Sequence, residues 1–164
     1  MINFPKHDDK RCLQLLEASQ PYLKSLSDEM KINYVQPDYF QKIVVPLSVY
    51  LMNLPERKKP YFIGLNGGQG SGKTTLSEFV QVILSKVSNK SVTGFSIDDI
   101  YKTAEEREEQ SKEIHPLCKV RGVPGTHDIQ MGLEVLDSLS NATKDTLTPI
   151  PAFSKPLDRH KPRE

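Results

Sequence analysis

The residues best suited to chemistry form a glycine-rich segment, GLNGGQGSGKTTL, at positions 64–76. Within it, the pattern G-x-x-x-x-G-K-T begins at Gly67 and ends at Thr74. This pattern lets backbone N–H groups approach phosphate oxygens closely, and a helix that begins near Lys73 adds its positive end. The segment therefore predicts a site for a nucleoside triphosphate. The alternative, a glycine-rich turn that binds nothing, is disfavoured by the complete motif.

Individual residues of this phosphate loop have predicted roles. Lys73 adds a mobile positive charge to the β- and γ-phosphates, and we expect the Thr74 hydroxyl to ligate Mg²⁺. Thr75 can contact the phosphate chain further back. The predicted nucleotide-binding residues are Gly67, Gly68, Gln69, Gly70, Ser71, Gly72, Lys73, Thr74 and Thr75.

Two adjacent carboxylates, Asp98 and Asp99, follow the apolar stretch SVTGFSI at 91–97. If that stretch is a strand parallel to the one before the loop, its end faces the phosphate loop at one edge of the sheet. A carboxylate there can accept a proton from an attacking hydroxyl or orient Mg²⁺, which suits phosphoryl transfer to an alcohol. The alternative, capping the next segment, fits one of the two aspartates better than both.

A third candidate is the short loop RGVPGTHD at 121–128, which contains Arg121, His127 and Asp128. A basic residue, an imidazole and a carboxylate can together bind a small, polar, acidic substrate. In the alternative interpretation, Asp128 belongs to the first turn of the next helix, His127 is merely exposed and the central Pro-Gly is a turn. Spacing alone does not choose between the two.

The spacing of apolar residues predicts the elements that position these side chains. YFIGL at 61–65 has the length of a strand, residues 74–87 have apolar side chains at helical spacing, and 91–97 is a second strand candidate. Strand, glycine loop, helix and strand form a βαβ unit, which predicts an α/β protein with a parallel sheet.

The flanking segments are predicted to be mostly helical. Residues 10–26 show an amphipathic pattern that Pro21 interrupts, and residues 38–54 are typical of a second helix. We therefore expect residues 1–59 to form a helical N-terminal extension and residues 60–164 to form the domain that carries the site. The predicted apolar face of the second helix consists of Phe40, Ile43, Val44, Leu47 and Leu51.

Two further helices and one brief strand are predicted after the aspartates. The charged stretch 101–113 is typical of a surface helix, and residues 128–140 form a helix with a regular apolar face. A short strand is expected at 150–153 within a proline-rich segment. The apolar face of the helix at 128–140 consists of Ile129, Leu133 and Leu136.

Composition and charge exclude several classes of protein. The 164 residues carry 22 basic and 21 acidic side chains, so no global field attracts nucleic acid or an anionic membrane. The longest apolar run, 43–52, is too short for a membrane span. Cys12 and Cys118 match no metal spacing and are expected to be reduced thiols of a cytoplasmic protein. NKSV at 89–92 lacks the aspartate of a guanine-binding N-K-x-D segment, which argues against a GTPase.

Four segments together resemble the phosphoribulokinase/uridine kinase group of P-loop kinases, most of all the D-glycerate 3-kinase branch. They are GLNGGQGSGKTTL, FSIDDIY, RGVPGTHDIQMGLEVLDSL and IPAFSKPLDR, in this order over about residues 60–160. The first is common to many P-loop proteins, whereas SIDDIY with RGVPGTHD is more specific. The resemblance implies a three-layer αβα P-loop NTPase fold around a parallel sheet. It also implies transfer of the γ-phosphoryl group of ATP-Mg²⁺ to D-glycerate or a similar hydroxy acid, which gives 3-phosphoglycerate in the first case.

The resemblance also assigns roles to residues. Asp98 takes the position of the base that accepts the substrate hydroxyl proton, and it acts with Lys73 in catalysis. The implied magnesium contacts are Thr74 and Asp98. The residues implied to line the acceptor pocket are Asp99, Tyr101, Arg121, His127, Lys155 and Arg159.

The chain departs from the family pattern in two respects. Glycerate kinases of this type carry Asp-Lys where this chain has Ser154-Lys155. Relatives also continue beyond the position of Glu164 with a further strand, a mobile lid and additional elements, so we expect an incomplete kinase domain. Two alternatives stay open: a catalytically weak nucleotide-binding remnant, and a related kinase with another small hydroxylated acceptor. The oligomeric state is not predicted.

Overall fold

The computed structural model describes residues 4–32, 34–36, 38–143 and 145–161. The chain forms two compact units. The first comprises the residues up to Arg57 together with Phe62–Thr93, and the second comprises Lys58–Tyr61 together with the chain from Gly94 onward. The division at residue 60, with a helical extension before it, stays a prediction.

Helix α1 of the first unit spans Lys10–Glu29. It begins after Asp9, whose carboxylate accepts a hydrogen bond of 2.8 Å from the Arg11 N–H and so caps the first turn. The helix continues through Pro21, so the predicted interruption there is wrong. Residues buried in one core on both sides of the proline hold the helix together; they are Cys12, Leu15 and Leu23.

Helix α2 spans Val45–Met52 and continues directly from a π-helical turn at Phe40–Val44. This confirms the helix predicted at 38–54. The wider turn precedes Pro46, which has no N–H to donate, and it rotates the side chains relative to regular α-helical spacing. As a result Ile43, which we predicted on the apolar face, is 46% exposed. The buried residues of this region are Val44, Val45, Pro46, Ser48 and Val49.

Helix α3 spans Lys73–Val82 and extends into a π-helical turn at Ile83–Val87, which confirms the helix predicted after the glycine segment. The ring of Phe79 is fully buried and meets Phe40 edge to face, with ring centroids 4.8 Å apart. The core of the first unit therefore lies among α1, α2 and α3. Its buried apolar residues are Cys12, Leu15, Leu23, Val44, Val45, Val49, Phe79, Val80, Ile83 and Leu84.

The strands predicted at 61–65 and 91–97 are both wrong for this structure: residues 61–65 and 91–96 have no regular secondary structure, and Ile97 begins a 3₁₀ turn. A strand is stabilised by hydrogen bonds to a neighbouring strand, and the sheet among the described residues includes neither segment. Apolar side chains in both segments are exposed, including Ile63 at 58% and Ile97 at 62%. The described part of the chain contains one sheet, a two-stranded antiparallel one, and the parallel sheet stays a prediction.

The second unit begins with a 3₁₀ turn at Ile97–Ile100, followed by α4 at Ala104–Glu113. Thr103 and Glu106 form a capping box at the start of α4, which confirms the helix predicted in this charged stretch. A second 3₁₀ turn spans Pro116–Lys119.

Helix α5 spans Ile129–Asn141, which confirms the helix predicted at 128–140. Its predicted apolar face is exposed instead of packed, with Ile129 57% and Leu133 53% exposed. The buried residue of α5 is Gly132, which faces Ile100: a Cβ on the glycine would lie 3.0 Å from the Ile100 Cδ1.

The last element is a hairpin of β1, Phe153–Ser154, and β2, Arg159–His160. Phe153 pairs with His160, and Ser154 pairs with Arg159. The strand predicted at 150–153 is therefore confirmed only at Phe153.

Two simpler expectations can also be compared with the structure. Cys12 and Cys118 are both free and buried, as expected for reduced thiols. In the ranges that the structure describes, no helix has both the length and the apolar character needed to cross a lipid bilayer.

Candidate functional site

The phosphate loop lies in the first unit and leads directly into α3. Gly70 and Gly72 have φ values of +74° and +79°, a left-handed conformation that favours glycine. Gly72 is the residue before the first turn of α3, and no side chain caps that turn. The first backbone N–H groups of α3 therefore keep their capacity to bind an anion.

Lys73 turns back over the loop that precedes it. Its Nζ donates to the carbonyl oxygens of Gly67 and Gly68, each at 2.7 Å. Gly67 has little room for a side chain, because a Cβ there would lie 3.0 Å from the Ser71 Oγ. The predicted nucleotide-binding residues are thus consecutive, and they place an ammonium group and free amides at one end of a helix.

This arrangement fits a nucleoside triphosphate. The Thr74 hydroxyl is on an exposed residue of the first helical turn, and Thr75 beside it is half-buried. No group of three or more His, Cys, Asp or Glu side chains that could hold a metal occurs among the described residues. A magnesium ion that accompanies a nucleotide needs only one or two protein oxygens, because phosphates and water supply the rest. The Thr74 hydroxyl is suited to that role.

A second set of predicted residues meets around Asp98 in the second unit. The Tyr101 hydroxyl donates to Asp98 Oδ1 at 2.8 Å, and the Lys155 ammonium donates to Asp98 Oδ2 at 2.6 Å. The hydrogen bond from Lys155 is the main reason why the pKa of Asp98 lies below its ordinary value; partial burial opposes this shift, and the bond from Tyr101 adds to it. Asp98 is therefore an ionised carboxylate at neutral pH.

Tyr101 forms the apolar floor of this group of residues. It is buried, and its ring stacks on His127 with the centroids 4.5 Å apart. Their backbones also form an isolated antiparallel bridge, and the Phe153 ring meets the Tyr101 ring edge to face with the centroids 5.6 Å apart. Burial, and then the hydrogen bond to Asp98, raise the pKa of the Tyr101 phenol. His127 is thus half-buried against an aromatic ring, not merely exposed.

Arg121 contributes the second cation. Its Nη1 donates to the Lys155 carbonyl oxygen at 2.8 Å and to Asp158 Oδ1 at 2.9 Å. The guanidinium carbon lies 5.7 Å from the Phe153 ring centroid, within cation–π distance. We call Asp98, Tyr101, Arg121, His127 and Lys155 the aspartate cluster.

Three other residues have local roles. Asp99 accepts hydrogen bonds from the Ser96 N–H at 2.8 Å and the Phe153 N–H at 3.2 Å, so it is the capping member of the aspartate pair. Its contact with an acceptor stays a prediction. Asp128 caps α5 by accepting from the Met131 N–H at 2.9 Å, as in the structural interpretation of the loop. Arg159 is exposed in β2, where it lines an open cavity of about 550 Å³, and it is not hydrogen-bonded to the aspartate cluster.

Sequence reasoning missed two charged residues beside the cluster. Arg107 is 3% exposed although it lies in the highly charged sequence EEREEQ, which is typical of a solvated helix face. It pairs with Asp158 across 51 positions of sequence. No local pattern marks a pair of this kind, since neither residue lies in a recognisable motif.

Comparison with known proteins gives a consistent result. No protein-family model matches the chain. An uncharacterized kinase of Schizosaccharomyces pombe is 36% identical over 116 residues, covering 69% of this chain and 41% of that protein. The chloroplastic D-glycerate 3-kinase of Arabidopsis thaliana is 37% identical over 99 residues, covering 58% and 22%. A probable ATP-dependent kinase of Saccharomyces cerevisiae is 39% identical over 106 residues, covering 60% and 36%.

The resemblance to kinases that the four segments indicate is therefore confirmed. These three relatives are named as kinases, and one of them is a D-glycerate 3-kinase. The chain spans less than half the length of each of these three relatives, at 41%, 22% and 36%.

Proposed function

We propose that this chain carries out the work of an ATP-dependent kinase of the P-loop NTPase fold, transferring the γ-phosphoryl group of ATP to a hydroxyl of D-glycerate. The product would be 3-phosphoglycerate. One observation carries the proposal: a chain with a complete phosphate loop also holds an ionised carboxylate, Asp98, beside the Lys155 ammonium, and Arg121 binds the Lys155 carbonyl oxygen. The kinase relatives, among them a D-glycerate 3-kinase, support it.

The phosphate loop is suited to the donor side of the reaction. Mg²⁺-ATP would supply the phosphoryl group, and the metal would offset part of the negative charge of the phosphates. The amides at the start of α3 and the Lys73 ammonium hold phosphate oxygens, and the left-handed Gly70 and Gly72 keep the backbone in the required curve. Lys73 leaves the carbonyls of its own loop when it binds phosphate.

Asp98 is suited to the acceptor side. The carboxylate is ionised at neutral pH, where an ordinary aspartate is already charged and the lowered pKa of Asp98 favours the charge further, and it can accept a hydrogen bond from the acceptor hydroxyl. Phosphoryl transfer passes through a loose transition state, so the position of the attacking oxygen matters more than its activation by a strong base. A weakly basic carboxylate meets this requirement, and it takes the hydroxyl proton as the new P–O bond forms and the bond to the leaving diphosphate breaks.

Arg121 is suited to recognise the acid group of the acceptor. Within the described part of the chain, its hydrogen bonds both come from Nη1, so the planar guanidinium keeps further N–H donors. Guanidinium and carboxylate pair in a fixed, two-bond geometry, which favours an acid over a neutral sugar. Lys155, whose carbonyl oxygen binds Arg121, adds a second positive charge.

The experiment measures ADP release from Mg²⁺-ATP with and without D-glycerate, and identifies the phosphorylated product by mass spectrometry. We expect release that depends on D-glycerate and is abolished by Lys73→Ala. Lys86→Ala is the matched control, because Lys86 is an exposed lysine beyond the loop, at the far end of the same helical segment. Release without any acceptor would contradict the acceptor assignment, and release that survives Lys73→Ala would contradict the donor site.

A further inference from the structure

Asp158 occupies the last position of the turn at residues 155–158, which joins β1 to β2. Its φ of +51° lies in the left-handed region, which residues other than glycine adopt rarely. Glycine would relieve that strain, but it would remove the carboxylate. Both carboxylate oxygens of Asp158 are bound by arginines, and these bonds offset the cost of the backbone conformation.

The first of these arginines, Arg107, is a buried charge. Its Nη2 donates to Asp158 Oδ2 at 2.5 Å, its Nη1 to the Lys119 carbonyl at 2.8 Å, and its Nε to the Lys102 carbonyl at 3.2 Å. A buried guanidinium needs an opposite charge nearby, and Asp158 supplies one. The pair therefore fixes the position of Asp158 against α4 and the 3₁₀ turn that follows it.

The second arginine, Arg121, connects the two ends of the turn. Its Nη1 binds Asp158 Oδ1 at the end and the Lys155 carbonyl oxygen at the beginning. The backbone of Lys155 is thus held where its side chain can reach Asp98. The Lys155 ammonium lies 2.6 Å from Asp98 Oδ2. The chain of contacts runs from buried Arg107 through Asp158 and Arg121 to Lys155.

From these contacts we propose that Asp158 is a positioning residue: it fixes the turn at 155–158 so that Lys155 binds Asp98. Asp158 does this through the two arginines and needs no contact with substrate. The placement of Lys155 stands on geometry alone, whereas its consequence for catalysis rests on the proposed kinase function.

Nuclear magnetic resonance of protein labelled with ¹⁵N-lysine tests the placement without reference to activity. A lysine ammonium gives an observable proton signal at neutral pH when an ion pair slows its exchange with water, and Lys155→Met identifies the signal of Lys155. We expect Asp158→Asn to abolish that signal. Glu108→Gln is the matched control, because it breaks the exposed Glu108–Lys119 pair in the same unit and should leave the Lys155 signal unchanged.

A second variant decides the matter if Asp158→Asn does not fold for lack of a partner for Arg107. Arg121→Gln keeps the Arg107–Asp158 pair and removes the contact to the Lys155 carbonyl, so it should abolish the same signal. A Lys155 signal that persists unchanged in a folded Asp158→Asn or Arg121→Gln protein overturns the proposal.

Kinetics test the catalytic consequence. We expect Asp158→Asn to lower kcat about tenfold while the KM for ATP is unchanged, because a misplaced group slows the step it serves. In a Lys155→Met background, Asp158→Asn should lower kcat little further, because both changes remove the same contact between Lys155 and Asp98. Equal losses in both backgrounds would overturn the positioning role. If the unvaried protein transfers no phosphate, the proposed function fails, and the Lys155 signal still decides whether Asp158 places Lys155.

Discussion

The ammonium of Lys155 lies 2.6 Å from Asp98 Oδ2, although the two residues are 57 positions apart in the sequence. The contact joins the turn of the last hairpin to the 3₁₀ turn that carries Asp98. It brings together two residues from different segments that the family resemblance assigned to one site, and it lowers the pKa of the carboxylate.

The Asp98–Lys155 pair should make stability depend on pH. Because the pKa of Asp98 is lowered in the folded protein, the pair's contribution is present above the ordinary carboxyl pKa of about 4 and is lost as pH falls through the folded value. The side chains are 37% and 58% exposed, so solvent screening limits the contribution to about 1 kcal/mol or less. Urea unfolding at neutral and acidic pH, with EDTA present, measures the contribution of the pair to the free energy of unfolding.

Lys155→Met should flatten this pH dependence. In an Asp98→Asn background, Lys155→Met should change the pH dependence no further, since its titrating partner is already gone. Full retention of the acid-sensitive part of the unfolding free energy in Lys155→Met would contradict the assignment.

Asp98→Asn should reduce phosphoryl transfer by about a hundredfold or more, because the amide cannot accept the hydroxyl proton. ATP affinity should be unchanged, since the phosphate loop has its own lysine and helix-terminal amides to hold the nucleotide. Calorimetric ATP titration and product formation measure the two effects separately. A comparable loss of ATP binding would show that Asp98 serves the nucleotide instead.

Gly72→Ala should weaken ATP binding about tenfold. The left-handed backbone before α3 costs alanine about 1 kcal/mol, and a change of backbone conformation that avoids this cost would turn the first amides of α3 away from the phosphates. Gly64→Ala is the matched control: a Cβ at Gly64 meets nothing within 4 Å, and this glycine has no left-handed backbone. Equal affinities of the two variants for ATP would argue against backbone curvature as the basis of the site.

Phe79→Ala should lower the free energy of unfolding by about 3–5 kcal/mol, because the ring is fully buried and leaves a cavity. Phe62→Ala, in which the removed ring is 50% exposed, should change it by about 0.5 kcal/mol or less. Chemical denaturation followed by circular dichroism compares them, and similar losses would place the core of the first unit elsewhere.

The helices and the phosphate loop could be predicted because their signals are local. Apolar spacing fixes α3 wherever its partners lie, and the glycines before Lys73 fix the backbone of the loop. The strands at 61–65 and 91–97 could not be predicted in the same way, since a strand exists only through its neighbours. The apolar face of α5 illustrates the same limit, because periodicity predicts which residues share a face but not what covers it.

Part of the aspartate cluster could be predicted from the sequence. Ser96 and Asp99 have the spacing of a capping box, which is a local signal that separates Asp99 from Asp98. The stacking of Tyr101 on His127 and the pairing of Arg107 with Asp158 depend on contacts between distant segments. Resemblance to a family assigned Tyr101 and His127 a common surface, but it gave no indication of Arg107 or Asp158.

The hydrogen bond from Tyr101 to Asp98 should allow occupancy of the site to be followed by tyrosine fluorescence. The chain has no tryptophan and six tyrosines, so its ultraviolet emission comes from phenol rings alone. A phenol that is hydrogen-bonded to a carboxylate loses its excited-state energy through proton transfer, and the fluorescence of Tyr101 should therefore be quenched. An acceptor hydroxyl that takes over the Asp98 oxygen would release the phenol, and occupancy of the site could be followed as a gain in tyrosine fluorescence without any added label.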